Sequence, residues 1–160
     1  MDLDELNGLS RPDFVDALGW IFEQSPWVAD RAWFRRPFRT RAALHEAMVD
    51  EVSRALPEER LALLQAHPDL GARLEMSEAS VGEQSGAGLD RLSPEERDRL
   101  LALNREYRDK FGFPFLYAVK GSTPREILRA LEERLGSNAD DEYREALRQV
   151  YRIAWFRLEA

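Results

Sequence analysis

Two tetrapeptides, Ser93-Pro94-Glu95-Glu96 and Thr123-Pro124-Arg125-Glu126, constrain what this chain can fold into more than any other feature. Each places a hydroxyl residue, a proline and an acid in the order that a helix N-terminus needs. The hydroxyl accepts from a backbone N–H that the first turn leaves open, and the carboxylate reaches back to the residue that starts the turn. Proline costs nothing at a position whose N–H would have no partner. Behind the first signal, Leu100, Leu103 and Tyr107 recur at helical spacing until Phe111-Gly112-Phe113-Pro114-Phe115 breaks the pattern. Behind the second come Ile127, Leu128, Leu131 and Leu135, then a terminating Gly136.

The rest of the chain repeats this grammar. Ser10, Pro12 and Asp13 start a helix with Phe14, Leu18, Ile21 and Phe22 on one face, predicted to stop before Ser25-Pro26. Residues 27–41 read as irregular, with Trp27, Trp33, Phe34 and Phe38 as core aromatics among snorkelling arginines. Thr40 caps a helix carrying Leu44, Ala47, Met48 and Val52, and Pro57 opens another with Leu61 and Leu64 inward, ending at His67-Pro68. Residues 77–89 read as a short helix of small side chains ended by Gly86 and Gly88. The final helix begins between Asn138 and Asp141, and its stripe is Tyr143, Leu147, Val150, Ala154 and Leu158. No segment sustains strand alternation. The prediction is an all-α protein: a single compact bundle domain over residues 1–160, of about seven to nine helices, with no repeat and no dividing linker.

Charge and composition exclude several functions. Thirty acidic against twenty-three basic residues give a net charge of −7, the wrong sign for a broad nucleic-acid surface despite the aromatic-basic stretch at 27–41. With no cysteine there is no disulfide framework, thiolate nucleophile or thiolate metal site. The first ten residues lack a signal-peptide layout, no apolar run approaches membrane-span length, and the last residues are no peroxisomal address. Cytoplasmic localisation is the expectation.

The inventory for chemistry is short. There are two histidines. His45 sits among charged residues within a helix and reads as a solvated surface side chain. His67 ends a helix, pinned by Pro68, and local sequence leaves two readings open. A histidine complementing the helix C-terminus is the simpler; an acid–base group is the other. No metal site, Gly-rich phosphate loop or nucleophile elbow is present. Glu83 and Gln84 stand among residues too small to bury them, with Ser80 on the same helix face; a ligand site and a poorly packed surface helix explain this equally. Phe111 to Phe115 is an aromatic plug that turns the chain, or broken backbone whose open N–H and C=O groups meet a ligand.

Taken in order, Ala66-His67-Pro68-Asp69-Leu70-Gly71, Ser80-x-x-Glu83-Gln84 with Ala87-Gly88-Leu89, and Asn104-x-x-Tyr107 leading into Lys110-Phe111-Gly112-Phe113-Pro114-Phe115 resemble the 2-oxo-4-hydroxy-4-carboxy-5-ureidoimidazoline (OHCU) decarboxylase family. Arg36-Pro37-Phe38 and Ile153-Ala154-x-x-Arg157-Leu158 fit as well, so the likeness runs from about Phe14 to Leu158. It implies an all-helical homodimer that converts OHCU to (S)-allantoin and CO2, the last step of urate degradation. His67 and Glu83 would be catalytic, His67 as the acid–base. Glu83, Gln84 and Ser80 would hold the hydroxyl, ring and ureido groups. Pro68 would line the pocket, backbone groups at Phe115 and Leu116 would grip the ring, and Arg157 would meet an oxygen.

The implied chemistry needs no metal or organic cofactor, because the adjacent C=N of the substrate accepts the electron pair that CO2 leaves behind. An arginine on the leaving carboxylate would stabilise the ground state, so Arg157 is expected on an oxygen that gains charge in the transition state. Two other functions compete: a non-enzymatic acidic helical module that binds a partner in a groove, and a lyase or hydrolase for a different ureide. The first leaves the Ser80, Glu83 and Gln84 segment and the interrupted helix unexplained.

Overall fold

In the computed structural model, which describes residues 1–68, 92–119 and 122–160, every regular element is helical. In chain order these are α1 (Leu3–Asn7), α2 (Arg11–Leu18), α3 (Trp27–Ala32), a 3-10 turn (Trp33–Arg35), α4 (Arg41–Arg54), α5 (Pro57–Ala66), α6 (Pro94–Phe111), α7 (Pro124–Leu135) and α8 (Ala139–Glu159). The helix expected at residues 77–89 lies outside the described residues.

Both tetrapeptides act as their chemistry requires. Ser93 Oγ accepts from Glu96 N at 3.1 Å while Glu96 Oε1 accepts from Ser93 N at 3.2 Å. Thr123 and Glu126 repeat the exchange at 3.2 and 3.4 Å. Such caps contribute about 0.5–2 kcal/mol each. The Ser93 N–H holds the Glu96 carboxyl below its ordinary range. That stabilisation is present above the ordinary carboxyl range and is lost as pH falls through the lowered value. Thr40 Oγ1 likewise accepts from Ala43 N at 3.0 Å to start α4.

Contacts divide the chain into two compact units. The first comprises Met1–Ala66 and Tyr151–Ala160, the second His67–Val150, so the two ends of α8 belong to different units. In the first unit the buried core is built from Phe14, Leu18, Ile21, Phe22, Val28, Leu44, Met48, Val52, Leu63 and Leu64, with Ala154 and Leu158 from α8. In the second it is built from Leu100, Tyr107, Phe113, Phe115, Ile127, Leu131, Ala146 and Val150.

Four local expectations need correction. The helix from Ser10 ends at Leu18, well before Ser25, although Ile21 and Phe22 are buried as expected. Gly19 caps it, its N–H bonding the Val15 carbonyl, and glycine is needed there because a Cβ would stand 2.6 Å from that oxygen and 3.3 Å from Pro26. Residues 27–35 are regular, not irregular: α3 buries Val28, Ala29 and Ala32. Of the aromatics read there as core, only Phe38 is buried, and Phe34 is 64% exposed. The arginines lie over ring faces, Arg36 4.1 Å from the Trp33 centroid and Arg31 4.6 Å from Trp27. In α5 the inward leucines are Leu63 and Leu64, whereas Leu61 is 38% exposed. His45, expected in solvent, is half-buried; its Nε2 lies 2.8 Å from the Tyr151 carbonyl oxygen and its ring meets Trp155 edge-on at 5.4 Å.

Candidate functional site

His67 is the first residue beyond α5, where the helix leaves carbonyl groups open at its C-terminus. Pro68 forbids a further turn, so the ring is delivered by a fixed stretch of backbone. His67 is 6% exposed and Pro68 is exposed. An imidazole so shielded exchanges protons only with groups that are brought to it, which suits an acid–base role. Ser80, Glu83 and Gln84 lie outside the described residues.

Phe115 and Leu116 belong to the segment 113–119, which follows the break after α6. The break is made by Gly112, whose φ of +80° is the left-handed region and whose N–H bonds the Arg108 carbonyl at 2.9 Å. Beyond it the rings of Phe111, Phe113 and Phe115 surround Tyr107, with centroids 4.7, 5.9 and 5.4 Å away. The plug and the open backbone are therefore one feature. Phe115 and Tyr117 stack with planes 10° apart and centroids at 6.0 Å, the i, i+2 relation of an extended chain. Phe115 and Leu116 are both buried.

Three polar side chains fasten this segment. Arg134 Nη1 donates to the Leu116 carbonyl at 2.5 Å, and its Nε donates to Glu142 Oε1 at 2.5 Å. Tyr107 OH donates to the same carboxylate oxygen. Ala118 N–H donates to Gln149 Oε1 at 2.9 Å, and Gln149 Nε2 donates to Glu145 Oε1 at 3.0 Å. Arg134, Glu142 and Gln149 are all buried. Burial pushes the Tyr107 hydroxyl far above its usual range, aided by the bond to Glu142 and opposed by the Arg134 charge, so it remains a proton donor. Arg134, Glu142 and Gln149 border a charged cavity of about 610 Å³ with Tyr117, Arg144 and Arg148.

Sequence reasoning missed these three residues. The signal was available: Arg134 follows Ile127 and Leu131 at spacings of seven and three, on the stripe that α7 buries. Glu142 and Gln149 share a face with Ala146 and Val150. A charged residue in register with an apolar stripe marks a partnered interior group.

Arg157 lies in the first unit, on the last turn of α8. Its Nη1 donates to the carbonyls of Trp20 and Ile21 at 3.0 and 3.1 Å, and its Nη2 donates to Glu23 Oε2 at 2.8 Å. Its expected acidic partner Glu83 is outside the described residues; the partner found is Glu23. The guanidinium has five N–H donors, and three contacts leave two that meet no described residue. Among the described residues no group of three or more His, Asp and Glu side chains is arranged to hold a metal, and no helix is long and apolar enough to cross a membrane.

Comparison with known proteins gives one consistent result. A family profile described as OHCU decarboxylase matches residues 7–159. A 2-oxo-4-hydroxy-4-carboxy-5-ureidoimidazoline decarboxylase of Halalkalicoccus jeotgali is 45% identical over 99% of this chain and 90% of its own length. One of Haloferax volcanii is 46% identical over 99% of this chain and 94% of its own. Among solved structures, an (S)-allantoin synthase superposes with a TM-score of 0.83 at 31% identity; the match covers 99% of this chain and 53% of that one.

Proposed function

The chain belongs to the OHCU decarboxylase family, and from that membership we propose that it removes CO2 from OHCU and protonates the product on one face to give (S)-allantoin. The observation that carries this is the identity of about 45% with a decarboxylase of the same name along nearly the whole length of both chains. The same reading makes residues 1–160 one functional domain, a cytoplasmic homodimer that takes a small ureidoimidazoline and uses neither metal nor organic cofactor.

The residues divide the work in order. The bond from ring carbon to carboxylate breaks, CO2 leaves, and its electron pair moves into the neighbouring C=N, giving an enol-like species. His67, with Glu83, moves the protons: the hydroxyl proton leaves as its carbon becomes a carbonyl, and one proton is delivered to a single face of the neighbouring, ureido-bearing carbon. A fixed acid–base group contributes a factor of about 10²–10⁴. Ser80, Gln84 and Pro68 hold the substrate, and the backbone at Phe115 and Leu116 grips the ring. Arg157 meets an oxygen that gains charge. Support for that role comes from its two N–H donors that meet no described residue and are available to such an oxygen.

The test is to generate OHCU freshly and follow the circular dichroism of allantoin. Optical activity is expected to rise well ahead of the spontaneous reaction, and equally fast after dialysis against a chelator. No acceleration overturns the assignment, and a loss restored by a divalent ion overturns the cofactor-free part. Within the site, Glu83→Gln is expected to slow turnover by at least ~10²-fold, the size of an acid–base or charge-assisted contact. His45→Gln, which replaces one donor on α4 to the Tyr151 carbonyl, is expected to change it less than about threefold, well under 1.4 kcal/mol. Equal losses in the two variants would move the site elsewhere.

A further inference from the structure

The segment 113–119 has no helix or strand of its own, yet it is tied at two places on one edge. In an extended chain the N–H and C=O of a residue point to the same side, and successive residues alternate. The Leu116 carbonyl and the Ala118 N–H therefore share an edge, and these are the groups bound by Arg134 and Gln149. The opposite edge carries the N–H and C=O of Phe115 and Tyr117, none of which bonds any described residue. On the clamped edge the Leu116 carbonyl and the Ala118 N–H are taken, whereas all four groups of Phe115 and Tyr117 are open, and open backbone of this kind can receive a ligand.

We propose that Arg134 and Gln149 are positioning residues for the decarboxylation: they clamp the Leu116–Ala118 edge so that the backbone of Phe115 and Tyr117 is held at one spacing for the substrate. The clamp rests on the reading of this stretch of backbone as substrate-binding: it keeps Phe115, and because Arg134 holds the Leu116 carbonyl on the other edge it gives the second contact to Tyr117. The ring and ureido groups of the substrate alternate N–H and C=O, the complement of an open strand edge. Gln149 is fixed at both ends of its amide, by Ala118 and by Glu145. Arg134 is fixed in turn by Glu142, and its guanidinium lies 4.6 Å from the Phe115 ring centroid, so it steadies that residue from both its backbone and its ring. The clamp touches no reacting atom.

Such a role leaves a kinetic mark. An edge that grips substrate and transition state alike changes KM when it loosens and leaves kcat nearly unchanged, whereas a partly unfolded enzyme loses active fraction, and so kcat, at unchanged KM. The experiment measures kcat, KM and Tm for the wild type, Gln149→Leu, Arg134→Lys, and the double exchange Glu145→Gln with Gln149→Glu. In the double variant a carboxylate accepts from Ala118 N–H and the new amide at 145 donates to it, so the clamp is rebuilt with its polarity reversed. Gln149→Leu and Arg134→Lys are expected to raise KM about tenfold, on the order of 1.4 kcal/mol of binding, with kcat within threefold. The double exchange is expected to return KM to within threefold of wild type. KM unchanged in both single variants, or kcat falling alone together with Tm, overturns the clamp. A wild type that does not accelerate allantoin formation is a different result, which removes the proposed function and the clamp with it.

Discussion

His67→Asn is expected to return allantoin formation to its spontaneous rate and to a racemic product, with helical circular dichroism unchanged. Asparagine keeps a polar group at a site that is 6% exposed, but it cannot transfer a proton near neutral pH. His67→Ala should give the same kinetics with some loss of stability, because it leaves a void at the end of α5. The expected loss is at least ~10²-fold, and up to about 10⁴-fold where the same ring also fixes the face of protonation. The affinity for (S)-allantoin, measured by calorimetry, should fall much less, since ring and ureido contacts come from other residues. Turnover with intact stereochemistry in His67→Asn would show that another group delivers the proton. The comparison with Gln149→Leu is informative: one variant should lose kcat and keep affinity, the other the reverse.

Most of the fold was legible because the signals were local. Ser93, Thr123, Thr40 and Ser10 each cap through a side chain three residues from its target, so the sequence order alone carries the geometry. Where the outcome depended on distant contacts, reading from the chain failed. Leu61 and Leu63 are equally apolar, and only the packing of the first unit turns one outward and the other in. Position 19, where α2 ends, has no room for a Cβ beside the Val15 carbonyl and Pro26, a crowding invisible to helical periodicity. His45 looked solvated because its neighbours are charged, yet its partners Tyr151 and Trp155 lie more than a hundred residues away in sequence.

The candidate site follows the same division. The interruption at Gly112 could be read from the Gly and Pro flanked by aromatics, and the left-handed glycine bears that out. What holds the segment after it could not, because Arg134, Glu142 and Gln149 act on Leu116 and Ala118 from other helices. Their types argued for solvent, and only their register with buried neighbours argued otherwise. Arg157 illustrates the remaining gap: its place beside the stripe of α8 was readable, while its bonds to the carbonyls of Trp20 and Ile21 and to Glu23 were not.

Glu142→Leu should be among the most destabilising single changes in the chain. The carboxylate is 1% exposed and accepts from both Arg134 and Tyr107. Removing it leaves a guanidinium buried without its counter-charge, a loss on the order of 3–5 kcal/mol. For a chain of this size that corresponds to a fall in Tm of roughly 10 °C or more. Tyr107 loses its acceptor too, and because burial keeps its hydroxyl protonated, ionising it offers no relief near neutral pH. Adding Arg134→Met should restore much of the stability, since an apolar pair of similar volume replaces a buried ion pair at little net cost. The Leu116 carbonyl, however, would still have lost its donor. The double variant should therefore melt closer to wild type, as thermal denaturation would show, while its KM stays about tenfold high. Recovery of both together would mean that the ion pair serves stability alone. Recovery of Tm without KM would separate what the pair does for the fold from what it does for the substrate.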